Sequence, residues 1–250
     1  ISALVGDYSS NINKGPCSIH KRDLYGKWNI QYKFPQGYVN HIHSIVPNKF
    51  SDGYYILTGD CDSSSCIWKS DKSMRNMSRL ISLGQTSRAC WLIQKNNYLY
   101  YVSDRQDNPN YLYRIDLNSS SPINPEPLMK VNGPSIHMKE LSSNQYLFST
   151  SVEPLPVKDD EKNIFSLFDS KLPKGVLTRD ICVYMGNPEN GFIEIFRVKK
   201  DFWPPRLFQF GDISFPSGIS SDNDIIHFYE QSADPYGIST VAIKIDPLNI

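Results

Sequence analysis

Apolar and polar positions alternate along this chain in short bursts. Runs rich in Tyr, Phe, Val, Ile and Thr are bounded by clusters of Gly, Pro, Asn, Asp and Ser, and no stretch sustains the three-to-four-residue apolar spacing of an amphipathic helix. The pattern predicts strands over residues 17–21, 28–34, 41–46, 54–58, 66–69, 79–83, 89–94, 98–103, 111–116, 128–131, 136–141, 146–151, 181–185, 192–198, 207–215, 225–229 and 240–245. Strands this short and numerous define an all-β fold and need a closed or stacked architecture to cover their edges.

An order of events recurs along them. A polar strand head (His41-Ile42-His43, Arg88-Ala89, Ser135-Ile136-His137) leads into a strand that ends in polar residues (Thr58-Gly59-Asp60, Ser103-Asp104, Ser149-Thr150-Ser151), and two further strands follow. From His43 to Arg88 is 45 residues and from Arg88 to His137 is 49, about one four-stranded sheet each. The expectation is a single β-propeller domain over 1–250, of about five four-stranded blades at roughly 1–38, 39–84, 85–132, 133–200 and 201–250. A charged, proline-bounded stretch at 157–174 reads as an insertion or mobile loop.

Composition narrows the partners. Lys plus Arg and Asp plus Glu number 26 each, so no net field draws the chain to nucleic acid or anionic lipid. No apolar run approaches the roughly 20 residues that cross a bilayer, so membrane insertion is not expected. The sequence begins on Ile, which leaves room for an upstream segment, and a soluble, secreted or cell-surface protein is the reading taken. Of five cysteines, Cys17, Cys90 and Cys182 lie in apolar runs and read as core. Cys61 and Cys66 flank a short polar loop and stand where a hairpin disulfide would form, the free thiols being the alternative.

Two resemblances support the fold. Asp23-Leu24-Tyr25-Gly26-Lys27-Trp28 resembles the Asp-box hairpin of sialidase-like propellers, with Gly displaced by one position and Lys21 where Ser or Thr is usual; Ser70-Asp71-Lys72-Ser73 is a weaker copy. The succession His41-Ile42-His43, Thr58-Gly59-Asp60, Arg88-Ala89, Trp203-Pro204 and Phe208-Gln209 is similar to poorly characterised bacterial propellers with BNR-like repeats, a group that implies a fold and no established activity. The arginine triad, Tyr–Glu pair and acid/base of true sialidases do not map onto Arg88, Arg206 and their neighbours.

In a propeller the first strands line an axial funnel, so His41, His43, Arg88, His137, Arg206 and Gln209 are the candidate ligand-binding residues, a hydrogen-bonding and cationic set suited to a glycan. Asp60, Asp104 and Glu153 are candidate acids or bases, with turn capping as the competing role. His41 and His43, two apart on a strand, share a side and have the geometry to hold a metal if His137 or Asp60 joined them, but a hydrogen-bonded pair is preferred and neither metal nor cofactor is expected. Tyr38, Trp91, Tyr111 and Trp203 are aromatic candidates for stacking on sugars, with Trp91 read as core. No phosphate loop, dinucleotide fingerprint or nucleophile elbow is present. Carbohydrate recognition, with an acidic glycan among the ligands considered, is the leading expectation; a polysaccharide hydrolase or lyase, and a protein-interaction scaffold, are the alternatives.

Overall fold

Eighteen strands in four antiparallel sheets make up the described residues of the computed structural model: 3–119, 123–141, 144–157, 163–216, 225–234 and 237–244. The chain is all-β, as its pattern implies, and no helix among the described residues is long and apolar enough to cross a membrane. Contacts divide it into two compact units, residues 1–104 with 112–128, and 105–111 with 129–250.

The first unit opens with a three-stranded sheet, β1 (Ala3–Gly6), β2 (Cys17–Arg22) and β3 (Trp28–Phe34). A four-stranded meander follows: β4 (His41–Pro47), β5 (Gly53–Gly59), β6 (Cys66–Asp71) and β7 (Met77–Ile81). Alternation explains their shared core. Cys17, Ile19 and Phe34 from β2 and β3 are buried with Ile42, Ile56, Cys66 and Trp68 from β4 to β6, and the Trp68 Nε1–H is satisfied by Thr58 Oγ1 at 3.1 Å. Truncating a side chain such as the fully buried Phe34 would cost about 3–5 kcal/mol. A second meander, β8 (Ile93–Lys95), β9 (Tyr98–Val102), β10 (Asn110–Asp116) and β11 (Glu126–Val131), enters this unit as β8, β9, residues 112–116 and residues 126–128.

The Asp-box-like segment is a hairpin turn. Asp23 Oδ1 accepts from the Tyr25 and Lys27 amides at 2.9 Å each while Gly26 takes φ 86°, a value that favours glycine. The weaker copy does the same at the β6–β7 turn, where Asp71 Oδ1 accepts from the Arg75 amide at 3.0 Å.

The second unit holds a seven-stranded sheet, ordered β12-β13-β14-β15-β17-β16 with β18 on β17: β12 (Met138–Glu140), β13 (Tyr146–Ser149), β14 (Asp180–Asn187), β15 (Gly191–Lys200), β16 (Asp212–Ser214), β17 (Ile225–Asp234) and β18 (Gly237–Lys244). Leu147, Val183, Met185, Ile213 and Phe228 form its core. The link between β15 and β17 is confined to Lys199↔Asp234 and Lys200↔Ala233.

Several expectations need correction. Sheets of three, four, four and seven strands replace five equal sheets. The strand expected at 79–83 runs from Met77 to Ile81, because the Leu83 amide is taken at 2.6 Å by Ser87 Oγ from a 3-10 turn. Of 89–94 only the end is strand, and of 207–215 only Asp212–Ser214. In the latter, Pro204 and Pro205 force a turn in which the Leu207 and Phe208 amides both bond the Pro204 carbonyl at 3.2 Å. Within 157–174 the structure places a short 3-10 turn at Phe165–Phe168; residues 158–162, like Ser120 and Ile245, lie outside the described residues. Cys61 and Cys66 are free thiols, Cys61 exposed and Cys66 buried with Sγ at 3.2 Å from Ser82 Oγ, so the hairpin disulfide is absent.

Candidate functional site

Four segments of the first unit converge on one polar cluster. The register of β4 against β5 shifts between Ile42 and Ser44, so His43 occupies a bulge that brings its ring beside that of His41. Gly59, opposite His41, makes this possible: a Cβ at that position would stand 2.3 Å from His43 Cε1. Asp60 follows directly, its carbonyl held by Gln85 Nε2 at 2.7 Å. Arg88, Ala89 and Cys90 lie in the irregular segment before β8, and the Asp104 amide, just past β9, bonds the Arg88 carbonyl at 2.9 Å. The apolar residues of this segment predict strand; its backbone instead serves the cluster.

His41 Nε2 and His43 Nε2 are 2.9 Å apart. Both face the Asp60 carboxylate, His43 at 3.1 Å from Oδ1 and His41 at 3.3 Å from Oδ2. On their far sides His43 Nδ1 meets the Ala89 carbonyl at 2.9 Å and His41 Nδ1 the Ser9 carbonyl at 3.4 Å. Arg88 NH2 bridges Asp60 Oδ1 at 3.1 Å and Asp104 Oδ2 at 3.0 Å, and Cys90 Sγ lies 3.4 Å from Asp104 Oδ2. Cys90 is therefore half-buried in a polar cluster and not core as its apolar neighbours implied.

The two carboxylates are driven apart electrostatically. Burial opposes ionisation of Asp60, but the hydrogen bonds from His41 and His43 and the Arg88 charge outweigh it and hold the carboxyl well below the usual range. Asp104 is pushed upward by burial, with Arg88 and His43 opposing. Asp104 Oδ1 is buried without a hydrogen-bond partner, consistent with a group deep in the wall.

Beside the cluster lies a pocket of about 280 Å³ lined by Asp7, Tyr8, Ser9, Asn11, Asn40 and the edge of Cys17 and Pro16. Tyr8 packs its ring 4.4 Å from the His41 ring and leaves 71% of its surface exposed. Burial of its hydroxyl, then the charge of Asp60, raises the Tyr8 pKa. Asn40 Oδ1 is buried and unpartnered, whereas Asp7 is engaged by the Ser18 amide at 2.7 Å and His20 at 2.9 Å. Tyr8, Asn40 and Cys90 were missed by sequence reasoning; a polar loop after an unrecognised strand β1 was the available signal for the first.

The structure brings together His41, His43, Asp60, Arg88 and Asp104 of the expected set. The others lie in the second unit. His137 Nε2 pairs with Asp212 Oδ2 at 2.8 Å, and Arg206 donates to the backbone carbonyls of Ser166 and Leu155. Gln209 is half-buried in the loop before β16. Glu153 is buried and accepts from Ser151 Oγ at 3.1 Å and from Gln106 Nε2. Of the aromatic candidates, Trp91 is 4% exposed and packs in the interior, as expected, while Trp203 is half-exposed between Phe202 and Phe208.

No protein-family model matches the chain, and no curated protein does. Among solved structures it is similar to the nidogen/laminin complex, with TM-score 0.48 and 11% identity, covering 92% of this chain and 72% of that one. It is also similar to a prolyl endopeptidase, with TM-score 0.49 and 10% identity, covering 99% of this chain and 34% of that one. TolB from Acinetobacter baumannii gives TM-score 0.46 and 11% identity, covering 92% of this chain and 49% of that one. At these values the likeness assigns neither a family nor a function.

Proposed function

We propose that this chain is a β-propeller that recognises carbohydrate, and that the sugar sits on the first unit against Tyr8. Support for the propeller comes from successive antiparallel meanders and from a repeated turn. Asp23, Asp71, Asp116 and Asn187 each accept a nearby backbone amide in the turn after β2, β6, β10 and β14, which is the last hairpin of each sheet segment. The two-rung link between β15 and β17 separates a four-stranded run from a three-stranded one, giving five segments.

One observation carries the recognition reading: an exposed aromatic ring, Tyr8, at the rim of a small polar pocket. An aromatic face covers the C–H groups of a pyranose, while Ser9 in the pocket lining offers hydrogen bonds to its hydroxyls. The His41 and His43 rings back the Tyr8 ring, with centroids 4.4 and 6.1 Å from it. Because Arg88 is ion-paired with two carboxylates and Asp7 faces the pocket, a neutral sugar fits better than an acidic one. Hydrolysis by the Asp60 and Asp104 pair is disfavoured by the same geometry. Two oxygens sharing the Arg88 nitrogen lie at most about 6 Å apart, near the spacing of glycosidase carboxylates, but the guanidinium fills the space a glycosidic oxygen would need.

A glycan array followed by calorimetry on the responding sugars tests this. Neutral sugars should bind without turnover, and Tyr8→Ala should weaken them on the order of 10-fold or more, the worth of about 1–3 kcal/mol of lost ring contact. A folded parent that binds no glycan, or a Tyr8→Ala variant that binds as the parent does, overturns the reading.

A further inference from the structure

We infer that His41, His43 and Asp60 form a binding site for one divalent first-row transition-metal ion of the zinc class. This inference does not depend on carbohydrate binding.

A carbonyl has no hydrogen to give, so an imidazole nitrogen at hydrogen-bond distance from one must carry the proton. That assigns a hydrogen to His43 Nδ1, facing the Ala89 carbonyl at 2.9 Å, and to His41 Nδ1, facing Ser9 O at 3.4 Å. Both Nε2 atoms then point inward, 2.9 Å from each other. At that separation one Nε2 accepts a hydrogen bond from the other, and a metal ion would take the place of the proton between them. The Asp60 carboxylate adds a third electron-pair donor, Oδ1 at 3.1 Å from His43 and Oδ2 at 3.3 Å from His41. Three inward-facing donors with outward Nδ1–H groups tied to backbone carbonyls are the arrangement by which proteins orient imidazole toward a cation.

The dimensions are compatible. Metal–ligand bonds of about 2.0–2.2 Å imply ligand–ligand edges of about 3.3–3.6 Å in a tetrahedron. The two Nε2 atoms are 2.9 Å apart, His43 approaches Asp60 Oδ1 at 3.1 Å and His41 approaches Oδ2 at 3.3 Å, and one donor atom from each residue lies within 4.8 Å of the other two. Two nitrogens and one carboxylate suit zinc, cobalt, iron or copper, whereas calcium and magnesium want six or more oxygens. Three protein ligands leave a coordination position free, and Asp60, 40% exposed, gives that position a solvent side. Arg88 and Gln85 orient the carboxylate residue from outside, and Gly59 allows the rings to approach.

A second set, His43 with Cys90 and Asp104, also lies close together. It would use His43 Nδ1, 3.6 Å from Cys90 Sγ, but that nitrogen is committed to the Ala89 carbonyl. Geometry therefore favours the first set.

The test uses the full chain, stripped with a chelator and titrated with Zn²⁺ by calorimetry and with Co²⁺ by visible absorption. One ion per chain and Co²⁺ d–d bands are expected. His41→Gln and Asp60→Asn should each reduce affinity on the order of 100-fold while circular dichroism stays native; His20→Gln, which lies on β2 against Asp7, should leave it unchanged. A folded parent without stoichiometric binding overturns the inference, as does binding that survives both His41→Gln and Asp60→Asn. Loss confined to Cys90→Ser, with a thiolate-to-cobalt band in the parent, overturns this assignment in favour of the other set. Sugar responses are read separately, so failure here leaves the carbohydrate reading standing and failure there leaves this one.

Discussion

Arg88 is the residue whose removal the structure makes most informative. Its side chain is 14% exposed and bridges Asp60, whose carboxylate is 40% exposed, and Asp104, whose carboxylate is 4% exposed. The two contacts differ in worth for that reason. The half-exposed pair contributes about 0–1 kcal/mol, whereas removing one partner of a buried pair costs about 3–5 kcal/mol, because the remaining charge is stranded in the wall. Arg88→Met should therefore lose about 3–5 kcal/mol at neutral pH, nearly all of it through Asp104. Asp104→Asn should lose less, about 1 kcal/mol, since Arg88 keeps Asp60 as partner. The double variant should be closer to Asp104→Asn than to the sum of the singles. Below neutrality the Arg88→Met penalty should shrink as Asp104, already raised by burial, takes up a proton, by at most about 1.4 kcal/mol per pH unit. Urea unfolding followed by tryptophan fluorescence in a Trp203→Phe background reads the first unit, because Trp28, Trp68 and Trp91 all belong to it. An Arg88→Met loss below 1 kcal/mol, or one independent of pH, would refute the view that Asp104 is a buried charge held by this guanidinium.

The remaining predictions concern the same neighbourhood. Gly59→Ala should destabilise by about 1–3 kcal/mol and displace the His43 ring, read as a shift of the His43 resonances, since its Cβ would stand 2.3 Å from Cε1. Asp60, with its carboxyl depressed in the fold, contributes stability that is present above about pH 4 and lost as pH falls through its native value; in chelated buffer Asp60→Asn should flatten that acid limb, by about 1 kcal/mol or less given the carboxylate's exposure. A thiol reagent should modify Cys61 first, whereas Cys17 and Cys182, buried with thiols pushed up to about 11 and about 12, and Cys66 react only on unfolding; reduction before alkylation should not change the mass gained.

Much of the fold was legible because strand alternation is local. β3 runs over Trp28–Phe34 as its pattern predicted, and β4 and β5 differ from expectation by a residue at their ends. Failures fall where a distant partner decides. Ala89 to Leu92 alternates too weakly to choose a conformation, and the chain is held irregular there by His43 on the Ala89 carbonyl and by Asp104 on that of Arg88. Leu207 to Gly211 has strand composition, yet the prolines before it start a turn. Strand β1 was overlooked because Ala3–Gly6 is too short to show a period on its own; its pairing with β2 supplies the hydrogen bonds that define it.

The site was legible as residue types and illegible as a circuit. His41, His43, Asp60, Arg88 and Asp104 all stood out by their places at strand heads and ends, and those places are where the structure gathers them. What the sequence could not show is which charges neutralise which, since that follows from the bulge at His43 and from the turn that carries Arg88 between two aspartates. The difference changes the chemistry. A free arginine beside two histidines would attract an anion; an arginine consumed by two carboxylates instead leaves two Nε2 atoms and the Asp60 carboxylate facing one another, an arrangement that suits a cation.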